Sequence, residues 1–451
     1  MIALYRGQAE TALPLLDAAV ILCREFPALY AHALIMQAYA LYTHDRSAEA
    51  YQAASQAFDL AVTFQDTASA VRALNIRGIS ALMLGRTRPA IDDLRQALSL
   101  LEQNTIETSA QTVQSLNHLG TALVFVQDYA QAGEILAKTV DLAQRGGLKR
   151  LEAAALTMLG QIALNRGRYH ESIRIYSQSI EVAGASYLPG MWGKYAGRGW
   201  AHLRSGEINV ASQDFEQGHR VAIQVNSLYG QLLMQTYQAA TSLAQGQAAP
   251  VSLAQIEKQA AGAQLQPVLY LASSLSGQIW RALGAVEKAI SAHERCMQAA
   301  RSSDVPMFIQ NAQVQLLFDR LLRGPDPDAF SQADDAIQKA CAAGEIPLQA
   351  LAWLAKGSGL FRAARYADAL SCAEEALALA RACPDQPLVG ETLLLLGRIR
   401  AEMGQEIAAE DLLAEARTIG EKSQALLLLA FGGEEAGSLR EIALACLGET
   451  G

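Results

Sequence analysis

No stretch of this sequence stays apolar for the roughly twenty residues that a membrane-crossing helix needs. Residues 1–6 also lack the long apolar core of a secretion signal, so a cytoplasmic protein without a membrane partner is expected. Basic residues are in the minority, since 36 Lys and Arg against 45 Asp and Glu leave a net charge of −9. A protein that grips phosphate backbones normally carries a basic face, and pairs such as Lys149-Arg150 read instead as solvated loop charges. Nucleic acid is therefore not an expected partner. The six cysteines, Cys23, Cys296, Cys341, Cys372, Cys383 and Cys446, are scattered without a CxxC spacing. That argues against a metal centre or a disulfide framework and leaves small helix-packing residues.

Catalytic signatures are missing as well. The sequence holds no GxxxxGK[ST] phosphate loop, no HExxH, no GxSxG elbow and no dinucleotide fingerprint in a strand context. The seven histidines are dispersed, and His170-Glu171 has no second histidine one helical turn away. No catalytic residue, metal or cofactor is assigned, and the chain is expected not to be an enzyme. Pro- or Ser-rich linkers and low-complexity tracts are absent too, which favours one continuous structural unit over separate domains.

What the sequence does contain is a rhythm. Gly78, Gly120, Gly160, Gly199, Gly277, Gly357 and Gly397 are separated by multiples of about forty residues, with Ala38 and Ala239 filling gaps. Seven residues after most of them comes a second glycine, at Gly85, Gly167, Gly206, Gly246, Gly284, Gly324 and Gly404. Five residues further stands a small side chain, such as Ala50, Ala90, Ala132, Ser172 and Ala211, and another follows two helical turns later, such as Ala57, Ala97, Thr139, Ser179 and Gly218. A small residue in mid-helix admits a neighbouring helix, and a glycine at a helix end supplies the left-handed conformation that stops it. Each period therefore reads as helix A, a glycine turn and helix B. Proline supports the register, because Pro27, Pro189, Pro267, Pro306, Pro347, Pro384 and Pro387 fall between periods and Pro89, Pro250, Pro325 and Pro327 fall at the entrance to helix B. Pro14 alone lands inside a predicted helix. Half the residues are apolar and only 6% aromatic, as suits helices that bury alanine and leucine against one another.

These residues resemble a tetratricopeptide repeat array. Leu116, Leu119-Gly120, Tyr129, Ala132 and Leu136 form one good match, and Leu156, Leu159-Gly160, Gly167, Tyr169, Ser172, Tyr176 and Ser179 another. The long period resembles the variant found in kinesin light chains and in bacterial regulators related to the maltose-regulon activator. The resemblance implies an all-α fold, an α-solenoid of about ten helix pairs wound as a right-handed superhelix. It weakens near Gly246, where Val251 and Lys258 replace small packing residues, and near Leu317, where the helix A glycine is lost, so irregular packing is expected there.

The expected organisation is an incomplete first repeat over 1–30, ten repeats over 31–422 and a shortened capping pair over 423–451. Gly7, Ala12 and Ala19 fit the turn and helix B of a unit whose helix A is missing, which leaves Leu13, Leu16 and Val20 without their partner helix. Met1 is then not the natural start, or more chain lies upstream, or self-association or another chain covers the end. Towards the other end acidic residues crowd, including Glu402, Glu406, Glu410, Asp411, Glu415, Glu434, Glu435 and Glu441.

The resemblance further implies a non-catalytic scaffold that binds a protein or peptide in a concave groove lined by the A helices. Its role would be the regulatory or sensor arm of a bacterial signalling or transcription regulator. A free-standing adaptor for complex assembly is the alternative, and an enzyme with an unrecognised convergent site is a remote third. Counting from the helix A glycines, the groove row is Arg72, Asn75, Asn117, His118, Gln161, Asn165, Trp200, Arg204 and Tyr237. Asparagines in successive repeats suit the backbone of an extended peptide, and these polar residues are expected to be open to solvent. The segment Ala183–Trp200, with Gly190, Gly193, Gly197 and Gly199 beside Trp192, Tyr195 and Trp200, reads either as tight helix packing or as an aromatic pocket in the groove wall.

Overall fold

The computed structural model describes residues 9–44, 46–103, 110–184, 190–324, 326–431 and 434–449. Every regular element among them is helical. After the helix Ala9–Leu22, the A and B helices alternate: Pro27–Thr43 with Ser47–Thr63, Thr67–Met83 with Thr87–Gln103, Ala110–Phe125 with Tyr129–Arg145, and Lys149–Asn165 with Tyr169–Ala183. Met191–Arg204 pairs with Ile208–Gln224, Leu228–Ala244 with Leu253–Gly262, and Gln266–Ala282 with Val286–Ser303. Pro306–Arg323 then pairs with Pro327–Ala343, Ile346–Arg362 with Tyr366–Ala382, and Gln386–Glu402 with Glu406–Ser423. A 3-10 turn, Ala425–Ala430, and the helix Glu434–Leu447 close the chain, the last helix beginning before Ser438. This is an all-α solenoid.

The repeated glycines shape each pair. A Cβ on Gly78 would lie 2.9 Å from Leu94, on Gly120 2.6 Å from Leu136, on Gly160 3.0 Å from Tyr176, and on Gly199 2.6 Å from Phe215. Each glycine of helix A thus receives a large side chain of helix B from the same relative position. Arg77 with Asp93 and Arg198 with Asp214 follow the same spacing of 16 residues one place earlier, as two-pronged ion pairs with closest approaches of 2.6 Å. Between the helices, Gly85, Gly167, Gly206, Gly246, Gly284 and Gly404 take positive φ. Gly324 differs from expectation, with an extended φ of 171°, while Gln127 and Ala364 adopt the left-handed conformation at the same turn without being glycine. Pro27, Pro267, Pro306, Pro327, Pro347 and Pro387 occupy helix starts, Pro14 lies within the helix Ala9–Leu22, and Pro189 and Pro325 fall outside the described residues. The helix Leu253–Gly262, where small packing residues are replaced, has only 10 residues.

Each A helix packs on the next A helix as well as on its own B helix, so the A helices form the inner layer. The superhelix is also tight enough for one turn to touch the next. Tyr129 meets Glu345 and Tyr169 meets Asp385, both across 216 residues. The turn at Gly167 abuts Pro347 and Cys383, and the turn at Gly206 abuts Gln386 and Ser423. A seam therefore runs between the A–B turns of the first half and the repeat junctions of the second. At its end the 3-10 turn and last helix pack across onto Leu228–Ala244 and Gln266–Ala282, so that Ala443, Cys446 and Leu447 join the core around Leu243 and Ile256.

Candidate functional site

Two of the expected groove residues belong to the seam. Asp385 is fully buried (0% exposed). Its Oδ1 caps the helix Gln386–Glu402 at Leu388 N, 3.2 Å away, while its Oδ2 accepts from Tyr169 Oη at 2.5 Å and from Arg204 at 2.8 and 2.6 Å. One repeat earlier the same three places hold Tyr129, Glu345 and Asn165. The Tyr129 hydroxyl donates to Glu345, and Asn165 Nδ2 donates to the Tyr129 oxygen at 2.9 Å. Burial and the adjoining carboxylates hold both phenols well above their ordinary value, so both act as donors. Gln161 extends this second trio, donating to Asn165 Oδ1 at 2.7 Å and accepting from Tyr176 at 3.1 Å.

The open polar wall expected from the sequence is accordingly corrected at Arg204, Asn165 and Gln161. These three side chains are partly buried and already bonded to the protein: Arg204 meets Asp385 and Asn165 meets Met307 from the next superhelical turn, while Gln161 is held by its neighbours Asn165 and Tyr176. Asn75 and Asn117 are corrected too, being 2% and 6% exposed. Arg72 is exposed, and His118, Trp200 and Tyr237 are intermediate.

Asn75 and Asn117 nevertheless share a property. They stand at equivalent places in successive A helices, and the Oδ1 of each is buried without a hydrogen-bond partner. His118 Nδ1 is likewise unpartnered. Burial and the charge of Arg150 hold its imidazole down at about 4, against a smaller opposing contribution from the Asn75 carbonyl, so the ring is neutral at pH 7. Arg150 in turn reaches Tyr39 Oη at 3.4 Å from across the array. Four successive A helices thus bring Tyr39, Asn75, Asn117, His118 and Arg150 together. A buried amide oxygen left unpaired costs about 1–3 kcal/mol, and such a group calls for an explanation.

The glycine-rich helix Met191–Arg204 resolves into close packing at two positions. Gly199 admits Phe215, and Gly197 lies directly against the Tyr176 ring. Gly190 precedes the helix with φ 75°, and nothing stands within 4 Å of a Cβ on Gly193. The neighbouring rings are engaged with each other: Trp192 meets Tyr229 edge-on at 5.3 Å, Trp200 lies 5.3 Å from Tyr237, and Tyr237 stacks on Phe215 at 4.9 Å. Sequence reasoning missed Glu345 and Asp385. The signal was there, since both are an acid two residues before a proline, Pro347 and Pro387, forty residues apart like Tyr129 and Tyr169.

Among the described residues no group of three or more His, Cys, Asp or Glu is placed to hold a metal ion, and no helix is long and apolar enough to cross a membrane. All six cysteines are free.

A tetratricopeptide repeat family model matches residues 111–185 and 348–422. These helix pairs are tetratricopeptide-like repeats. Among solved structures, a Rap protein complexed with competence and sporulation factor is similar over 61% of this chain and 76% of its own, at 14% identity and a TM-score of 0.52. The apo form of RapI matches over 60% and 98% at 13% identity and a TM-score of 0.47. The apo form of the quorum sensor NprR from B. thuringiensis matches over 77% and 98% at 12% and 0.46. No curated protein matches. At 14% identity the likeness to the Rap protein shows a shared fold alone.

Proposed function

We propose that the chain is a non-catalytic receptor that holds an extended peptide or protein segment against the inner face of its first four repeats, in a regulatory or sensor role. The observation that carries this reading is the pair of buried, unpartnered oxygens on Asn75 and Asn117. An extended backbone presents N–H donors at regular intervals, which suits two amide acceptors fixed on neighbouring helices. The neutral His118 adjoins Asn117 on the same helix. The Rap protein solved with its factor supports the idea that such a solenoid can serve as a receptor.

A library of random heptapeptides provides the test. Peptides retained by the wild-type chain should bind Asn75→Ala and Asn117→Ala more weakly, by about 0.5–1.5 kcal/mol for each lost hydrogen bond. Equal retention by the double variant would sink the reading.

A further inference from the structure

The seam has a third place where the trio of side chains is not repeated. Stepping one repeat on from Tyr169, Arg204 and Asp385 leads to Ile208, Ala244 and Ala425. None of these can form the hydrogen bonds of the earlier trios, and two of them are far smaller. All three line an open cleft of about 860 Å3 between the turns at Gly206 and Gly246 on one side and the chain's last two helical elements on the other. Leu428, Leu439 and Ile442 complete its apolar floor.

The rim is polar, and its charges are unevenly committed. Glu207 bonds His202 at 2.5 Å, and Glu421 pairs with Arg417 at 3.2 Å. Lys422, also on the rim, forms no ion pair or hydrogen bond among the described residues. The cleft therefore offers an apolar floor and one cation available to a ligand. Its volume falls in the range of small-molecule sites, roughly 300–1,000 Å3, where apolar walls bury the body and a few polar groups fix orientation.

We propose that this cleft binds a small amphipathic carboxylate, with its hydrocarbon body on Ile208, Ala244, Ala425 and Leu439 and its head at Lys422. The ligand would stand where the other two seam positions have a tyrosine and an acid, and so would join the two superhelical turns. None of these residues belongs to the inner wall of Asn75 and Asn117, so the outcome is independent of the peptide test.

Decanoate and decanol are the probes, titrated by calorimetry into the full-length chain. Decanoate should bind saturably with one site per chain and decanol more weakly. Lys422→Gln should weaken decanoate by about fivefold, the scale of a rim ion pair, while leaving decanol unchanged. Ala244→Trp, which fills the cleft, should abolish binding of both. Ile208→Asn, which makes the floor polar without filling it, should weaken both and replaces the tryptophan variant if that one does not fold, as judged by circular dichroism. Absence of saturable decanoate binding overturns the proposal, as does undiminished binding by the Ala244 and Ile208 variants or decanol binding as tightly as decanoate.

Discussion

The hydroxyl of Tyr169 donates to the carboxylate of Asp385 across 216 residues, and Arg204 binds the same carboxylate oxygen. The pair links a helix start in one superhelical turn to a helix cap in the next. Tyr169→Phe removes one buried hydrogen bond and leaves Asp385 its other partners, so a loss of about 1–3 kcal/mol is expected in chemical denaturation. Arg204→Ala leaves the Asp385 charge buried without its cation and should cost about 3–5 kcal/mol. Wild-type stability in both variants would mean that the seam contributes nothing to folding.

Glycine substitutions should divide by their surroundings. Gly120→Ala places a methyl group against Leu136 and should cost about 1–3 kcal/mol through overpacking. Gly193→Ala meets nothing within 4 Å and should stabilise by about 0.5–1 kcal/mol, because glycine loses more backbone entropy in a helix. Thermal melts of the two variants should move in opposite directions, and a shift in the same direction would contradict the packing described.

Asn75→Leu and Asn117→Leu should make the unliganded chain more stable, or leave it unchanged, since each removes an unpaired buried acceptor. The same variants should lose peptide binding. A stabilised receptor that no longer binds is the mark of a site maintained for its ligand. A clear loss of stability would instead assign the two asparagines a structural duty.

Two titrating groups give opposite pH dependences. Burial raises Glu345, against the lowering effect of Tyr129 and Gln127. Its contribution to stability is fully present below the ordinary Glu value of 4.5 and is lost as pH rises through the raised value. Glu345→Gln should flatten that decline. His118, held at about 4 from an ordinary 6.5, acts the other way, with stability falling as pH drops from 6.5 towards 4. His118→Gln should remove this second slope, and urea titrations across pH 4–8 would separate the two. Unchanged pH profiles in both variants would rule out these assignments.

The local architecture was legible because each repeat states it again. Glycine and alanine at fixed spacing reveal where helix meets helix, and the structure puts Leu94, Leu136, Tyr176 and Phe215 against those glycines. Departures have local causes: Gln127 and Ala364 supply the left-handed turn where glycine was the obvious candidate, whereas Gly324 is extended. The surroundings of Arg204 and Asn165 were not legible, because their partners arrive from another turn and the pitch of the superhelix sums small rotations over many repeats. Asn75 and Asn117 were marked by their spacing, but their burial was not.

A linear array held only by neighbour-to-neighbour contacts can gain or lose a unit and can fray from its ends. The seam removes that freedom. Tyr129 and Tyr169 find their acids only because a fixed length of chain lies between them. Deleting one helix pair of about forty residues between Tyr169 and Glu345 would preserve every local glycine contact outside the deletion, yet would slip the seam by one repeat, carrying Tyr129 to Asp385 and Tyr169 to Ala425, which offers no acid. The array therefore has a counted length, and its two turns should unfold as one cooperative body rather than unzip repeat by repeat.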